Sequence, residues 1–155
     1  MAERNRWQEE WLGRAPCLID GEWRTPSGKT LPVIDPYTER PIGEVAEAGE
    51  DLVEQAVDAA VRAGRSWNHS EPDARAETLE RLAALLQQHG AGLAALVTRQ
   101  MGMPIALAKA SQAELPAAVL RSFAALARTT AWRERIDGAE LLRVPRGVVG
   151  AITPW

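Results

Sequence analysis

Pro145-Arg146-Gly147-Val148-Val149-Gly150-Ala151-Ile152-Thr153-Pro154-Trp155 decides the class of fold. Residues 147–152 are almost continuously apolar, the pattern of a strand buried on both faces of a parallel-type sheet. Such a strand needs helices packed on it. The residues before it supply them. From Glu50 the apolar positions Leu52, Val53, Ala56, Val57, Ala60 and Val61 recur at helical spacing. Asp58 and Arg62 stand four apart for an i,i+4 pair, and Gly64 loosens the end of this helix. A second helix is predicted from Ser70 as N-cap, with Pro72 and Asp73 in its first turn. Its stripe is Ala76, Leu79, Leu82, Ala83 and Leu86, and Gly90 is its stop. A third carries Leu93, Leu96, Val97 and Met101 and ends at Gly102 and Pro104. A fourth helical region covers residues 105–132. Pro116 within it predicts a kink or two abutting helices, because its ring denies a bond to Gln112 and disfavours α geometry at Leu115. Residues 119–127 read as mostly buried.

Farther from the quoted stretch, the period falls to two. Asp20-Gly21 between Cys17-Leu18-Ile19 and Glu22-Trp23-Arg24 predicts a hairpin, since both turn positions require positive φ. Residues 25–28 form a turn and residues 29–34 a strand, placed at a sheet edge by Pro32. Asp35-Pro36 turns the chain, and residues 42–46 make a further short strand. After Asp137-Gly138, residues 140–144 read as another. Trp7 and Trp11, four apart in a charged segment, predict an amphipathic arm. The organisation is an arm (1–15), a strand-rich segment (16–48), a helical part (49–136), an oligomerisation-type strand (137–146) and a first sheet strand (147–155). That last strand has no crossover and no parallel neighbour, so the chain reads as unfinished, with exposed edges and poor stability in isolation.

Composition excludes several functions. With 18 Lys+Arg against 21 Asp+Glu, scattered rather than massed, the chain presents no basic surface for nucleic acid or an anionic membrane. No apolar run approaches a membrane span and no signal-peptide core opens the chain, so a cytoplasmic protein is expected. The single Cys17 permits no intrachain disulfide and, lacking a base nearby in sequence, reads as a structural cysteine. His69 and His89 are too far apart for a recognisable metal site. The acidic residues read as solvated or as partners of helix N-termini. Trp67 and Trp132, at helix ends, read as rings that close a core or an interface.

The motifs, taken in order, resemble the opening of the aldehyde dehydrogenase family. Leu18-Ile19-Asp20-Gly21-Glu22-Trp23 is similar to that family's first signpost. Ser27-Gly28-Lys29-Thr30, Val33-Ile34-Asp35-Pro36, Ile42-Gly43-Glu44-Val45-Ala46 and Ala56-Val57-Asp58-Ala59-Ala60 continue it in register. Arg75 with Leu79 resembles the start of the next family helix. Met101-Gly102-Met103-Pro104 resembles the following motif, with Met103 where lysine is usual. The stretch from Pro145 to Trp155 is similar to the family segment that leads into the cofactor cleft.

The resemblance implies an α/β fold: a helical cluster and short strands leading into the first strand of a Rossmann-like sheet. It implies oxidation of an aldehyde to a carboxylic acid with NAD or NADP in the full-length parent. There a cysteine thiolate attacks the aldehyde, a glutamate activates water, and an asparagine with a backbone N–H holds the oxyanion. None of those catalytic residues is matched here, so the expectation is a truncated N-terminal fragment, inactive and without tight cofactor binding of its own. A homo-oligomer is implied for the parent. The resemblance places Ile152, Thr153, Pro154 and Trp155 at the cofactor cleft, and Ser111, Leu115 and Val119, one face at i, i+4, i+8, at the substrate tunnel. The alternative is a non-enzymatic interaction module or remnant that pairs with a full-length relative.

Overall fold

The computed structural model describes residues 16–153; the expected arm and its Trp7 and Trp11 lie outside them. Two hairpins open the fold. Strands β1 (Cys17–Ile19) and β2 (Glu22–Arg24) pair antiparallel, with Leu18 opposite Trp23. The turn between them has φ of 54° at Asp20 and 79° at Gly21, the double positive φ that Asp-Gly predicts. β3 (Thr30–Asp35) pairs antiparallel with β4 (Arg40–Ala46), and a bulge at Val33/Ile34 lets the register skip Ile42. Asp35 Oδ1 accepts from the N–H groups of Tyr37 (2.8 Å) and Thr38 (3.2 Å), fixing the reversal. Among the described residues β3 bonds to β4 alone, so Pro32 sits in a strand with an open edge, as expected.

Helix α1 (Gly49–Trp67) runs through Gly64 instead of loosening there. Its stripe divides in two. Leu52 and Ala59 are buried with Ile19 in a small cluster against which the half-buried Cys17 packs, while Val53, Val57 and Val61 stay about half exposed. Arg62 reaches Asp20 at 2.9 Å, not Asp58, and so ties α1 to the β1–β2 turn.

Helix α2 (Pro72–Gln88) begins with Glu71 as N-cap. Ser70 does not cap it: its hydroxyl donates to the Trp67 carbonyl at 2.6 Å, closing α1. Nor is Gly90 a terminator. His89 closes α2, and Gly90 is the buried first residue of α3 (Gly90–Met101). A Cβ there would stand 3.3 Å from that of Ala113, so close approach selects glycine rather than turn geometry. Gly102, at φ 73°, ends α3 as expected.

Residues 105–129 form two abutting helices, one of the two outcomes expected around Pro116. α4 (Ile105–Lys109) passes through a π-helical turn (Ala110–Glu114) into α5 (Leu115–Thr129), with Pro116 in the first turn of α5, where its missing N–H costs nothing. The π turn adds a residue, so the buried alanines run Ala108, Ala113, Ala117, Ala124, with an interval of five across it.

α2 and α5 pack antiparallel through fully buried alanines, Ala76 and Ala83 on one helix, Ala117 and Ala124 on the other. Across the rim, Arg128 pairs with Glu80 at 2.6 Å and Asp73 at 3.3 Å, and Arg121 donates to Gln87. Residues 119–127 are not mostly buried: Val119, Phe123 and Leu126 face outward, because α5 spends its small residues on α2.

A third hairpin, β5 (Arg133–Ile136) with β6 (Ala139–Leu142), turns at Asp137-Gly138 with φ of 50° and 84°. Its first strand was not expected. The predicted strand at residues 147–152 does not form: the segment has no ladder partner among the described residues and lies exposed. A strand exists only through its neighbours, and here none is present.

Candidate functional site

Of the four residues expected at a cofactor cleft, the structure describes Ile152 and Thr153; Pro154 and Trp155 lie outside. Ile152 is 99% exposed and makes no pocket. Upstream, residues 147–149 lie along the carboxyl half of α1, bounding a shallow cleft with Val61, Gly64 and Trp67. Gly147, at φ 87°, gives the chain the bend that brings it there. Residues 147–153 carry mostly apolar side chains and lie exposed.

The expected tunnel residues are only partly brought together. Leu115 and Val119 share an outward face of α5, four residues apart. Ser111 lies within the π turn, and the extra residue rotates it off that stripe. Its hydroxyl donates to the Leu107 carbonyl at 2.7 Å and lies 3.6 Å from the Met103 sulfur, which anchors it inward.

A larger cleft, of about 770 Å³, lies elsewhere, between the α1–α2 junction, α5 and the β5–β6 hairpin. Trp132 forms part of its wall. The indole N–H donates to the Ala127 carbonyl at 3.1 Å, and the Arg75 guanidinium carbon lies 4.7 Å from the ring centroid. This is cation–π geometry. Trp67, 47% exposed, forms another part, so both rings flank an open cleft rather than closing a core. Sequence reading matched Arg75 to a motif but gave it no role. The available signal was a cation beside Ala76 and Leu79 on an otherwise apolar helix face.

Other candidates make ordinary packing and helix-end contacts. Cys17 packs with the Ile19 cluster. His69 Nδ1 lies 2.8 Å from the Arg65 carbonyl, a helix-end contact. No group of three potential metal ligands occurs among the described residues, and no described helix is long and apolar enough to cross a membrane. Among the described residues the one carboxylate with a displaced pKa is Glu80, held below its ordinary value by its hydrogen bond from Arg128, which outweighs the opposing desolvation. Arg128 shifts upward for the reciprocal reason. Both are exposed, and the pair is a rim clamp on the α2–α5 seam.

These elements define an α/β arrangement: edge hairpins, an alanine-packed helical layer, and an exposed segment that lies along α1. The profile of the aldehyde dehydrogenase family matches residues 23–155. The chain is 37% identical over 141 residues to N-succinylglutamate 5-semialdehyde dehydrogenase of Burkholderia mallei, covering 89% of this chain. It is likewise 37% identical to betaine aldehyde dehydrogenase 1 of Oryza sativa subsp. japonica, covering 93% of this chain and 31% of that protein. Among solved structures, aldehyde dehydrogenase C of Pseudomonas syringae, complexed with NAD+ and octanal, superposes with a TM-score of 0.77 at 29% identity. The match covers 81% of this chain and 26% of that one. An aldehyde dehydrogenase of Bartonella henselae gives 0.76 at 25% identity, over 82% and 27%. This chain belongs to the aldehyde dehydrogenase family. It spans about 29% of the length of the Burkholderia relative.

Proposed function

We propose that these residues are the N-terminal framework of an enzyme that oxidises an aldehyde to a carboxylic acid with NAD or NADP. The observation that carries this is the collinear match over residues 23–155 together with the shared fold. The NAD+ and octanal bound by the Pseudomonas syringae relative support the cofactor and substrate classes.

In this reading residues 147–155 become the first strand of the nucleotide-binding sheet once its neighbours are present. Ile152, Thr153, Pro154 and Trp155 then stand at the strand's carboxyl end, where ligands of such sheets bind. Leu115 and Val119 are side chains of the aldehyde passage, and Ser111 sets the π turn that aims them. The β5–β6 hairpin serves assembly into a homo-oligomer, and the protein works in the cytoplasm. The nucleophile, the water-activating base and the oxyanion-binding amide come from residues beyond those matched, so the 155 residues alone neither hold the cofactor tightly nor turn over. The exposed apolar faces of α1 and α5 also support a second reading, an interaction module that pairs with a full-length relative.

The test grafts residues 16–155 in place of the matching region of the Burkholderia mallei relative and measures NADH formation with a panel of aldehydes. Folded, cofactor-binding enzyme with turnover supports the proposal. A folded chimera that binds no NAD or NADP refutes it.

A further inference from the structure

The triplet Ile-Asp-Gly occurs twice, as Ile19-Asp20-Gly21 and as Ile136-Asp137-Gly138, and each copy closes a two-residue hairpin. In both, the aspartate and the glycine have positive φ: 54° and 79° in the first, 50° and 84° in the second. The local chemistry is the same, so any difference in behaviour comes from the surrounding fold. The surroundings differ sharply. Ile19 is 7% exposed and packs with Leu52 and Ala59, which anchors the first turn to α1. The Asp20 carboxylate is held as well, by Arg62 Nη2 at 2.9 Å. Ile136 is 53% exposed, every residue of β6 is exposed, and β6 bonds to β5 alone among the described residues. The Asp137 carboxylate has neither an ion pair nor a hydrogen bond among those residues. A two-stranded ribbon without a buried anchor opens readily at its tip.

We propose that Asp137-Gly138 is a site of spontaneous isoaspartate formation, and that the fold protects the identical Asp20-Gly21 from the same reaction. Only these two aspartates precede glycine, the residue with no Cβ to hinder attack by its nitrogen. At Gly138 nothing lies within 4 Å of where a Cβ would stand, so the approach is open. When the turn opens, the Gly138 nitrogen attacks Cγ of the neutral Asp137 carboxyl. An N–Cγ bond forms and a Cγ–O bond breaks. The departing hydroxyl takes the amide proton and leaves as water, giving a five-membered cyclic imide. Water then adds at the former main-chain carbonyl and breaks its bond to nitrogen. The chain now runs through Cβ and Cγ, with a free α-carboxylate. One water is lost and one regained, and nothing is oxidised or reduced. The isomerised turn has an extra backbone carbon, which removes the two-residue closure that sets Ile136 opposite Ala139. At Asp20 the same attack requires the carboxylate to leave Arg62 and the strand to leave its buried anchor. The product at Asp137 belongs to the substrate class of carboxyl methyltransferases that esterify isoaspartate with S-adenosylmethionine.

The experiment holds the purified 155-residue chain in neutral buffer, samples it over weeks and cuts it with trypsin, which releases the two sites in separate peptides, 15–24 and 136–143. Electron-transfer fragmentation distinguishes isoaspartate from aspartate in each. Labelling by an isoaspartate-specific methyltransferase with S-adenosylmethionine measures the total in the intact chain. Isomerisation is expected to be roughly fivefold or more faster at Asp137 than at Asp20. Synthetic copies of the two peptides, which lack the fold, are expected to react at similar rates. Arg62→Gln should raise the rate at Asp20 and leave that at Asp137 unchanged, and Asp137→Glu should remove most of the methyl labelling, because the longer side chain forms its imide far more slowly. The comparison within the unmodified chain stands even where Arg62→Gln fails to fold. Equal rates at the two sites of the unmodified chain, a faster Asp20, a ratio that persists in the synthetic peptides, or an Asp20 rate unmoved by Arg62→Gln each overturns the proposal. Cofactor binding and turnover do not enter these readouts, so the inference stands or falls apart from the proposed function.

Discussion

Replacing Ala83 by Leu tests the claim that α2 and α5 meet through small residues. Ala83 is 0% exposed, as are Ala76, Ala117 and Ala124, so no free volume waits at the seam. Three added carbon atoms must push the helices apart or take a strained rotamer, at a cost of about 1–3 kcal/mol. The neighbouring Ala84 is exposed on the same helix, and Ala84→Leu there has an expected effect within about 0.5 kcal/mol. Helix propensity does not separate the two, because Ala and Leu are both strong helix formers and both sites are internal. With an m value of about 2 kcal/mol per molar urea, the seam variant loses roughly 1 M in midpoint and the control almost none. Urea titration followed by far-ultraviolet circular dichroism reads this directly. Equal midpoints for the two variants, with unchanged m, would refute the packing, because the seam would then tolerate the volume it is argued to lack.

Other expectations follow from separate features. Gly28→Ala places a Cβ against the Glu47 carbonyl and 3.0 Å from the Glu47 Cβ, so it disrupts the join between β3 and the end of β4 by about 1–3 kcal/mol; a midpoint equal to that of the unmodified chain contradicts this. Glu80 has its pKa lowered from 4.5 in the fold, so its contribution is complete above that value and is lost as pH falls through and below it. Glu80→Gln should flatten that acid limb in melting scans from pH 6 to about 2.5, and an unchanged limb argues against the clamp. The half-exposed Val119, Phe123 and Leu126 predict that the isolated chain binds 8-anilinonaphthalene-1-sulfonate and self-associates. Phe123→Lys with Leu126→Lys should reduce both without lowering the midpoint; a dye-silent, monomeric unmodified chain would remove the premise.

Features encoded within a few residues were legible before any coordinates. Asp20-Gly21 and Asp137-Gly138 specify their turns because positive φ at two successive positions is a local demand. Gly102 ends α3 for a similar reason. The failures are at positions decided by distant partners. Ser70 and Gly90 carry strong local signals for a cap and a stop, yet the first bonds back to Trp67 and the second admits Ala113. Arg62 chose Asp20, 42 residues away in sequence, over Asp58 on its own helix. The π turn was invisible because hydrophobic periodicity averages over one inserted residue, and it displaced Ser111 from the face shared by Leu115 and Val119. Strand β5 was missed because Arg133-Glu134-Arg135-Ile136 has one apolar residue; its pairing with β6 specifies it.

Burial separates the work of this framework from what it serves. Small side chains make its internal contacts: among the described residues the fully buried aliphatic positions are alanines, and the largest fully buried side chain is Pro26. Large side chains point the other way, from α1 through Val53, Val57 and Val61, from α5 through Phe123 and Leu126, and from the segment 147–152. Full burial of each large aliphatic or aromatic side chain contributes about 1.5–3 kcal/mol, so most of the hydrophobic stabilisation this sequence can supply is not collected within the described residues. Alanine seams let helices approach closely and orient them, and the outward faces leave an exposed apolar surface. That division explains why Val148, Val149 and Ile152 look like a buried strand in sequence and an exposed ribbon in the structure. On the proposed reading the pattern suits a sheet in the full-length parent, while the conformation records the contacts present among the described residues. Supplying parallel neighbours in the chimera should therefore convert residues 147–152 into a protected strand. Slow amide hydrogen exchange at Val149 and Ala151 in the chimera, against fast exchange in the isolated chain, is the expected signature. Fast exchange in both would show that the apolar run is not a strand of the completed sheet.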